Sequence, residues 1–346
     1  MFEFIQATKN GREMGEKKDR NPVLQKTIWL ANPRGFCAGV IRAVQTVEIA
    51  LKKYGAPIYV RHEIVHNKRV IDDLRRKGAI FVESVDDIPE GAVTIFSAHG
   101  VSRNVKSKAG FRSLQTIDAT CPLVSKVHKQ GQNYAQKGYE IIFIGHKGHA
   151  EVEATLGQID GKIHLINTVK DIDNLRPLNP ARLAYITQTT LSVDDTRHMI
   201  KSLTERFPQI IGPNTKDICY ATQNRQQAVR DMADKIDLLL VVGAHNSSNT
   251  NRLCEIGTAL GIQSYLVPDR KDFDPRWLEG KYNIGITAGA SAPDVLIDEL
   301  LMHMRQFGYN HIEHLNGIKE TVKFDLPANL REVELREKPM PAQVPA

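Results

Sequence analysis

The feature that most constrains this chain is a set of three cysteines. Each of them follows an apolar run and precedes a helix-like pattern. In the first of them, the strand-like run Thr27–Leu30 stops at a turn, presents Cys37 and leads into apolar residues at helical spacing. The same order recurs at Cys121 and Cys219. Because a helix N-terminus favours the thiolate, which is the form that binds metal or attacks a substrate, the pattern predicts three equivalent functional thiols.

The repeat extends beyond the cysteines. A polar loop follows a predicted strand 28 or 29 residues after each cysteine, at His66, His149 and Ser247. A later strand of each unit ends in a second polar loop, at residues 97–100, 187–192 and 287–293. Because ligands bind beyond the carboxyl ends of parallel strands, three such units facing inward would bring three thiols and six loops to one central cleft.

The period is too long for a solenoid and predicts three separate α/β modules, each with a parallel sheet. The predicted boundaries are 26–110, 111–213 and 214–304. Residues 1–25 are expected to form a flexible extension, because they lack the apolar core of a secretory signal. Residues 305–346 are expected to add a segment to the first module and then to end in a loose tail.

Composition excludes several classes of protein. The chain has 41% hydrophobic and 25% charged residues, and it contains no apolar run long enough to span a bilayer, so no membrane association is expected. The net charge is +6, but the basic residues form no long stripe, so no nucleic-acid partner is expected. Without an export signal the expected location is the cytoplasm, where cysteines more often bind metals or catalyse than form disulfides.

Three convergent cysteines leave three kinds of chemistry open. They could hold an iron-sulfur cluster with one iron free for substrate, a catalytic zinc with an open position, or act as nucleophiles or a redox pair. The surrounding loops are rich in His, Ser, Thr and Asn, which suits a phosphate held by neutral donors. Zinc bound by three thiolates would be a poor Lewis acid, so the cluster is the leading interpretation. Cys254 lies outside the repeat and is predicted to be a packing residue.

Eight ordered motifs resemble those of the 4-hydroxy-3-methylbut-2-enyl diphosphate reductase family, and the likeness covers about residues 26–335. The motifs are Asn32–Gly39, Tyr59–Asn67, Phe96–Val101, Asp118–Val124, Thr187–Val193, Asp217–Thr222, Asn246–Asn249 and Thr287–Pro293. The resemblance implies a pseudo-threefold cloverleaf of three α/β modules around a central [4Fe-4S] cluster. It also implies removal of the allylic hydroxyl of the substrate, giving isopentenyl and dimethylallyl diphosphate in the last step of the non-mevalonate isoprenoid pathway, with electrons from ferredoxin or flavodoxin.

The resemblance further implies a role for each matching residue. Cys37, Cys121 and Cys219 would hold the cluster, and Glu151 with Thr189 would handle the hydroxyl and its proton. The residues implied to bind the diphosphate are His66, His99, His149, Ser247, Ser248, Asn249 and Ser291. From the residues alone, Glu151 could instead only compensate a helix dipole, and its neighbour Glu153 could be mistaken for it.

Two other functions fit the cysteine pattern. One is an iron-sulfur sensor or scaffold that binds a partner without turnover, although a sensor has no need of a diphosphate site and a positioned acid. The other is a zinc-dependent phosphohydrolase, which would release inorganic phosphate and would lack the visible absorbance of a cluster.

Overall fold

The structure is a computed structural model, and it describes residues 25–213 and 217–331. The strands of this part of the chain are β1 (Thr27–Leu30), β2 (Ile58–Arg61), β3 (Ala79–Val82), β4 (Val93–Phe96), β5 (Gln115–Asp118), β6 (Glu140–Ile144), β7 (Ile163–Ile166), β8 (Leu183–Thr187), β9 (Leu238–Val242), β10 (Gln263–Val267), β11 (Asn283–Ala288) and β12 (His311–His314). Its α-helices are α1 (Ala38–Tyr54), α2 (Lys68–Arg76), α3 (Arg103–Phe111), α4 (Pro122–Gln136), α5 (Ala150–Leu156), α6 (Val169–Asn174), α7 (Val193–Arg206), α8 (Tyr220–Met232), α9 (Ser248–Ala259) and α10 (Asp294–Arg305).

The strands form three separate sheets in which every pairing between named strands is parallel. The strand orders are β3-β2-β4-β5, β7-β6-β8 and β10-β9-β11-β1-β12. Strands β6, β8 and β9 are buried along their whole length, as expected of parallel strands that helices cover on both faces. The predicted class, three parallel α/β modules, is confirmed.

The chain passes from one module to the next at each cysteine. In the first sheet, β5 leads into α4, whose apolar residues pack against the second sheet. In the third sheet, β1 leads into α1, which packs against the first sheet. In the second sheet, a parallel bridge between Ala184 and Ile211 takes the place of the fourth strand, and the chain then continues to α8 on the third sheet. The three crossings therefore place the cysteines between modules.

These crossings correct two predicted module boundaries. Residues 26–110 were expected to contain β1 as part of the first module, but β1 pairs with β11 and β12. Residues 111–213 were expected to contain β5 as part of the second module, but β5 pairs with β4. The local pattern locates a strand, whereas its partners depend on contacts far away in sequence, so a boundary drawn along the chain misassigned both strands.

The C-terminal segment contacts two modules rather than one. Strand β12 extends the third sheet, which differs from the prediction that the segment 305–346 would pack on the first module. Further along, the segment does reach the first module, where Arg42 Nε donates to the Asp325 carbonyl at 2.7 Å and Leu330 joins the core beneath α1.

Parts of two predictions lie outside the described residues. They are the flexible extension, of which only Gln25 is described, and the loose tail from residue 332 onward. Among the described helices, none has the length and apolar character needed to cross a membrane.

Candidate functional site

The three repeated cysteines occupy equivalent positions. Cys37, Cys121 and Cys219 are the N-cap residues of α1, α4 and α8. The backbone N–H of each cysteine donates to the second polar loop of the preceding module, to Ala290 O at 3.2 Å, Ala98 O at 3.0 Å and Thr189 O at 3.0 Å respectively. Each thiol is thus held between two modules by the same local arrangement.

One central cavity contains all three cysteines. It offers about 690 Å³ of space, including the open solvent at its mouth, which is within the range of small-molecule sites. All of the residues predicted for the site line it: Cys37, Cys121, Cys219, His66, His99, His149, Glu151, Thr189, Ser247, Ser248, Asn249 and Ser291. The structure therefore brings together the residues that the sequence repeat and the motifs singled out.

The spacing of the sulfurs suits a cluster better than a single ion. With Zn–S bonds of about 2.3 Å, three thiolates on one tetrahedral ion would lie about 3.8 Å apart. Among residues 25–213 and 217–331, the one group of three ligand atoms within 4.8 Å of one another is His62, Glu63 and His66, and the cysteines do not form such a group. A larger group bridging the three sulfurs fits this donor set.

Gly39 leaves space beside two of these sulfurs. A Cβ placed on Gly39 would lie 2.7 Å from Cys121 Sγ and 3.9 Å from Cys37 Sγ. The first distance is well inside van der Waals contact, so only glycine leaves this space for a thiolate and its metal.

Replacement of Gly39 by alanine is expected to impair metal binding more than folding. The added methyl would displace Cys121 Sγ, and a displaced ligand is expected to lower iron retention by about 10-fold or more. Iron and sulfide per chain, measured after anaerobic purification, test this. Gly110→Ala on α3 is the control, because a Cβ there meets no atom within 4 Å. Wild-type iron content in the Gly39 variant would contradict the expectation.

Burial, not the helix N-terminus, dominates the pKa of the thiol in Cys121 and in Cys219. Burial raises the pKa of Cys121 to about 12, and the neighbouring Cys37 adds to the rise. Burial likewise raises the pKa of Cys219 to about 11. The expectation that helix N-termini would favour free thiolates is therefore wrong for these two residues, because desolvation and mutual repulsion exceed the helix dipole. Such thiols need a cationic partner to ionise, which suits metal ligands better than free nucleophiles.

Three histidines form one wall of the cavity. The rings of His66 and His99 stack with centroids 4.1 Å apart, and the ring of His149 lies edge-on to His66 at 5.3 Å. Burial, with smaller contributions from neighbouring histidines, lowers the pKa of His149 to about 3 and that of His99 well below its usual value. His149 Nδ1 accepts from the Glu151 N–H at 3.1 Å, so a neutral ring carries its proton on Nε2.

His66 is oriented by two residues that the sequence analysis did not single out. Its Nδ1 lies 2.9 Å from Glu63 Oε2, and because a carboxylate only accepts, Nδ1 carries the proton. Asn246 Nδ2 donates to the same oxygen at 2.9 Å, which joins the first and third modules. His66 Nε2 is buried and has no partner among the described residues. Glu63 and Asn246 both lie inside the family motifs. Their positions in the sequence, close to His66 and Ser247, were the features that could have indicated their role.

The string from His62 to His66 has the spacing of the zinc motif H-E-x-x-H, but not its structure. That motif needs a helix to place both histidines on one face, whereas residues 62–66 form a loop and His62 has a φ of 61°. His62 Nδ1 instead contacts Glu83 Oε2 at 2.8 Å, and Glu63 contacts His66. The arrangement does not match a zinc peptidase.

A second wall is formed by the N-terminus of α9. Ser247 is its N-cap, and Ser248 and Asn249 form its first turn. The side-chain Nδ2 and Oδ1 of Asn249 are buried and have no partner within the part of the chain that the structure describes. Unpaired buried polar atoms are costly, and the N-terminus of a helix favours an anion, so this wall is suited to a phosphate group. Ser291 Oγ donates to His66 O at 2.9 Å and so links this wall to the histidines.

Glu151 and Thr189 form a buried pair beside the cysteines. Glu151 is 3% exposed; its Oε1 accepts from the Thr189 N–H at 2.7 Å, and its Oε2 from Thr189 Oγ1 at 2.9 Å. Burial, with a smaller contribution from Asp217, raises the pKa of Glu151 to about 7. Glu153, in contrast, is exposed and accepts from the Gly148 N–H, so it does not belong to the cavity.

Cys254 lies on α9 and packs against the apolar cluster that contains Leu239 and Leu253. It is not among the residues that line the cavity. Its place in the structure matches the predicted packing role.

The fold and the cavity together define a class, that of three-module α/β proteins with helix-capping cysteines at the crossings between modules. Residues 28–305 match the model of the family described as LytB protein, and the chain belongs to this family. The predicted family resemblance is thereby confirmed.

Relatives of this family share most of their length with the chain. The 4-hydroxy-3-methylbut-2-enyl diphosphate reductase of Zymomonas mobilis is 54% identical over 309 residues, covering 89% of this chain and 91% of the relative. The 4-hydroxy-3-methylbut-2-enyl diphosphate reductase 1 of Rhodopseudomonas palustris is 55% identical over 303 residues, covering 88% of this chain and 99% of the relative. Among solved structures, the E-1-hydroxy-2-methyl-but-2-enyl-4-diphosphate reductase from Plasmodium falciparum superimposes with a TM-score of 0.85 at 38% identity, covering 91% of this chain and 100% of that one.

Proposed function

We propose that this protein reductively removes the hydroxyl group of (E)-4-hydroxy-3-methylbut-2-enyl diphosphate, giving isopentenyl and dimethylallyl diphosphate as the last step of the non-mevalonate isoprenoid pathway. The observation that carries the proposal is that one cavity combines three cysteines, neutral polar groups of which the Asn249 side chain is unpaired, and a buried carboxyl group. Relatives more than half identical over nearly the whole chain bear the name of this activity.

The cofactor is a [4Fe-4S] cluster held by Cys37, Cys121 and Cys219. When bound, such a cluster would pass electrons from the external donor to the substrate and would act as a Lewis acid toward its hydroxyl group. The donor set supports this cofactor, because the three thiols do not form a group close enough for one ion and Gly39 leaves room beside two of them.

The diphosphate lies between the two polar walls. Neutral donors and the N-terminus of α9 bind it, which gives the orphaned side-chain Nδ2 of Asn249 the acceptor it lacks. The full set of binding residues is His66, His99, His149, Ser247, Ser248, Asn249 and Ser291. An anion in this position also favours protonation of His99 and His149, whose pKa values burial otherwise lowers.

The chemistry requires two electrons and two protons. The allylic C–O bond breaks, one proton joins the departing hydroxyl to form water, and the second proton joins the carbon skeleton, where its position decides which product forms. Glu151, held by Thr189, is the group placed to supply the first proton. The electrons come from a ferredoxin or flavodoxin, and the enzyme acts in the cytoplasm.

A decisive experiment is an anaerobic assay of the purified chain with the allylic diphosphate and a chemical reductant. We expect the two isomeric diphosphates as products, together with cluster absorbance in the visible range and about four iron and four sulfide per chain. Release of inorganic phosphate by a colourless protein would establish the zinc phosphohydrolase instead. A cluster without product formation would favour the sensor.

Substrate binding is expected not to require Mg²⁺. Magnesium in phosphate sites is usually bound through carboxylates, whereas the polar walls of this cavity consist of histidine, serine and asparagine. Turnover in a brief assay with excess EDTA should stay within about twofold of that with Mg²⁺, provided that cluster absorbance is unchanged. Substrate affinity that collapses with EDTA and returns with Mg²⁺ would refute this expectation.

A further inference from the structure

Each helix that begins at a cysteine carries a buried or ion-paired basic residue in its second turn. These residues are Arg42 on α1, Lys126 on α4 and Arg225 on α8, five or six positions after the cysteine. None of them lines the cavity, so substrate binding does not account for them.

Arg42 reaches from the helix of Cys37 to the loop that presents Cys121. Its Nη1 donates to Thr120 O at 3.1 Å and its Nη2 to Asp118 O at 3.4 Å. The side chain is 9% exposed, and it also interacts electrostatically with the Cys121 thiol.

Arg225 makes the corresponding connection from the helix of Cys219 to the loop that presents Cys37. Its Nη2 donates to Gly35 O at 2.7 Å and to Phe36 O at 3.3 Å, and its Nε donates to Gly35 O at 3.0 Å. The side chain is fully buried, and Glu320 from the C-terminal segment balances its charge at 2.9 Å.

Lys126 makes the third connection, from the helix that begins at Cys121 to the loop that presents Cys219. Its Nζ lies 3.6 Å from Oδ1 of Asp217, which is two residues before Cys219 and whose side chain is fully buried. This is an ion-pair distance, longer than a hydrogen bond.

We infer that these three basic residues form a closed ring that positions the three cysteines as one set. Each residue ties the helix begun by one cysteine to the loop of the next, in the order Cys37 to Cys121, Cys121 to Cys219, and Cys219 to Cys37. Arginine suits two of the links, because its rigid fork binds several backbone carbonyls at once. The inference rests on the proposed cluster and assigns the ring the role of keeping it bound.

The test measures how fast anaerobically purified holoprotein gives up its iron to a chelator, at a temperature well below unfolding. The rates of the variants are compared with that of wild type. Arg225→Lys keeps the charge but not the fork, and Lys126→Gln removes a half-exposed charge with little risk to folding. The matched controls are Arg230→Lys on α8, whose guanidinium pairs with Asp194 at the surface, and Lys129→Gln, which is exposed on α4.

We expect both ring variants to lose iron about 10-fold faster than wild type, the usual effect of disturbing groups that orient metal ligands, with an altered electron paramagnetic resonance signal of the reduced cluster. The controls should match wild type. A purely structural role would instead lower Tm and leave both readouts at wild-type values in the folded protein.

The outcomes separate this inference from the proposed function. Wild-type rates and spectra in Lys126→Gln and in folded Arg225→Lys would overturn the ring while the cluster proposal stands. If Arg225→Lys fails to fold, Lys126→Gln decides alone. A wild-type chain that takes up no iron and sulfide would overturn both.

Discussion

Replacing Cys37, Cys121 or Cys219 singly with serine will abolish cluster retention and reduce activity by more than about 100-fold. Loss of groups that merely orient metal ligands already costs about 10- to 100-fold, so the loss of a ligand itself should cost more. Each of the three caps a helix at a crossing between modules and lines the central cavity, so none can substitute for another. Iron, sulfide and visible absorbance measured under anaerobic conditions, followed by turnover, test the prediction.

Cys254→Ser is the matched control, because it makes the same chemical change on a cysteine of the apolar cluster outside the cavity. We expect it to keep its cluster and its activity. Loss of the cluster in Cys254→Ser, or full activity in any of the other three variants, would contradict the ligand assignment.

The parts of the site that could be predicted from the sequence are those repeated in it. Cys37, Cys121 and Cys219 could be recognised as equivalent because each follows a short apolar strand and begins a helix, and local pattern is sufficient to locate such elements. The polar loops at His66, His149 and Ser247 could be recognised as equivalent in the same way, because each follows a strand at nearly the same distance from its cysteine. Once parallel sheets were expected, the rule that ligands bind at carboxyl ends of strands placed these residues together.

Strand partners could not be predicted in this way. The pattern located β1 and placed a strand before Cys121, but nothing in Thr27–Leu30 indicates that it pairs with Asn283–Ala288 rather than with a strand of the first module. The pairing is decided by contacts across more than 250 residues of sequence, after the modules have formed. The module boundaries therefore differed from the structure at both crossings, although the strands themselves were placed correctly.

The pKa values of the buried groups also could not be predicted from the sequence. A cysteine at a helix N-terminus predicts a lowered thiol pKa, but the depth of burial, known only from the fold, reverses that expectation for Cys121 and Cys219. Glu63 and Arg225 were likewise not anticipated, because their importance comes from partners in other modules, Asn246 for Glu63 and the carbonyl of Gly35 for Arg225.

Glu151→Gln is expected to keep the cluster and bind substrate but to lose about 10² or more in turnover, the usual scale of general acid catalysis. Departure of the hydroxyl as water needs a proton at the leaving oxygen, and a glutamine amide has no acidic proton to give. The substitution keeps the size of the side chain, and the amide oxygen can still accept from Thr189. Single-turnover rates in protein with a full cluster measure the effect, and Glu153→Gln, on the exposed neighbour in the same helix, is the matched control.

The pH dependence of turnover tests the same role independently. Burial raises the pKa of Glu151 from an ordinary value of 4.5 to about 7, so the carboxyl group keeps its proton at pH values where an exposed glutamate has lost it. As a proton donor it is active below about pH 7, and kcat should fall about tenfold per unit as the pH rises above that value. The small residual turnover of Glu151→Gln should lack this limb, because no carboxyl remains to titrate. Near-normal turnover in Glu151→Gln, or an unchanged basic limb in its profile, would remove Glu151 from the mechanism and assign the proton to bound water or to the diphosphate of the substrate.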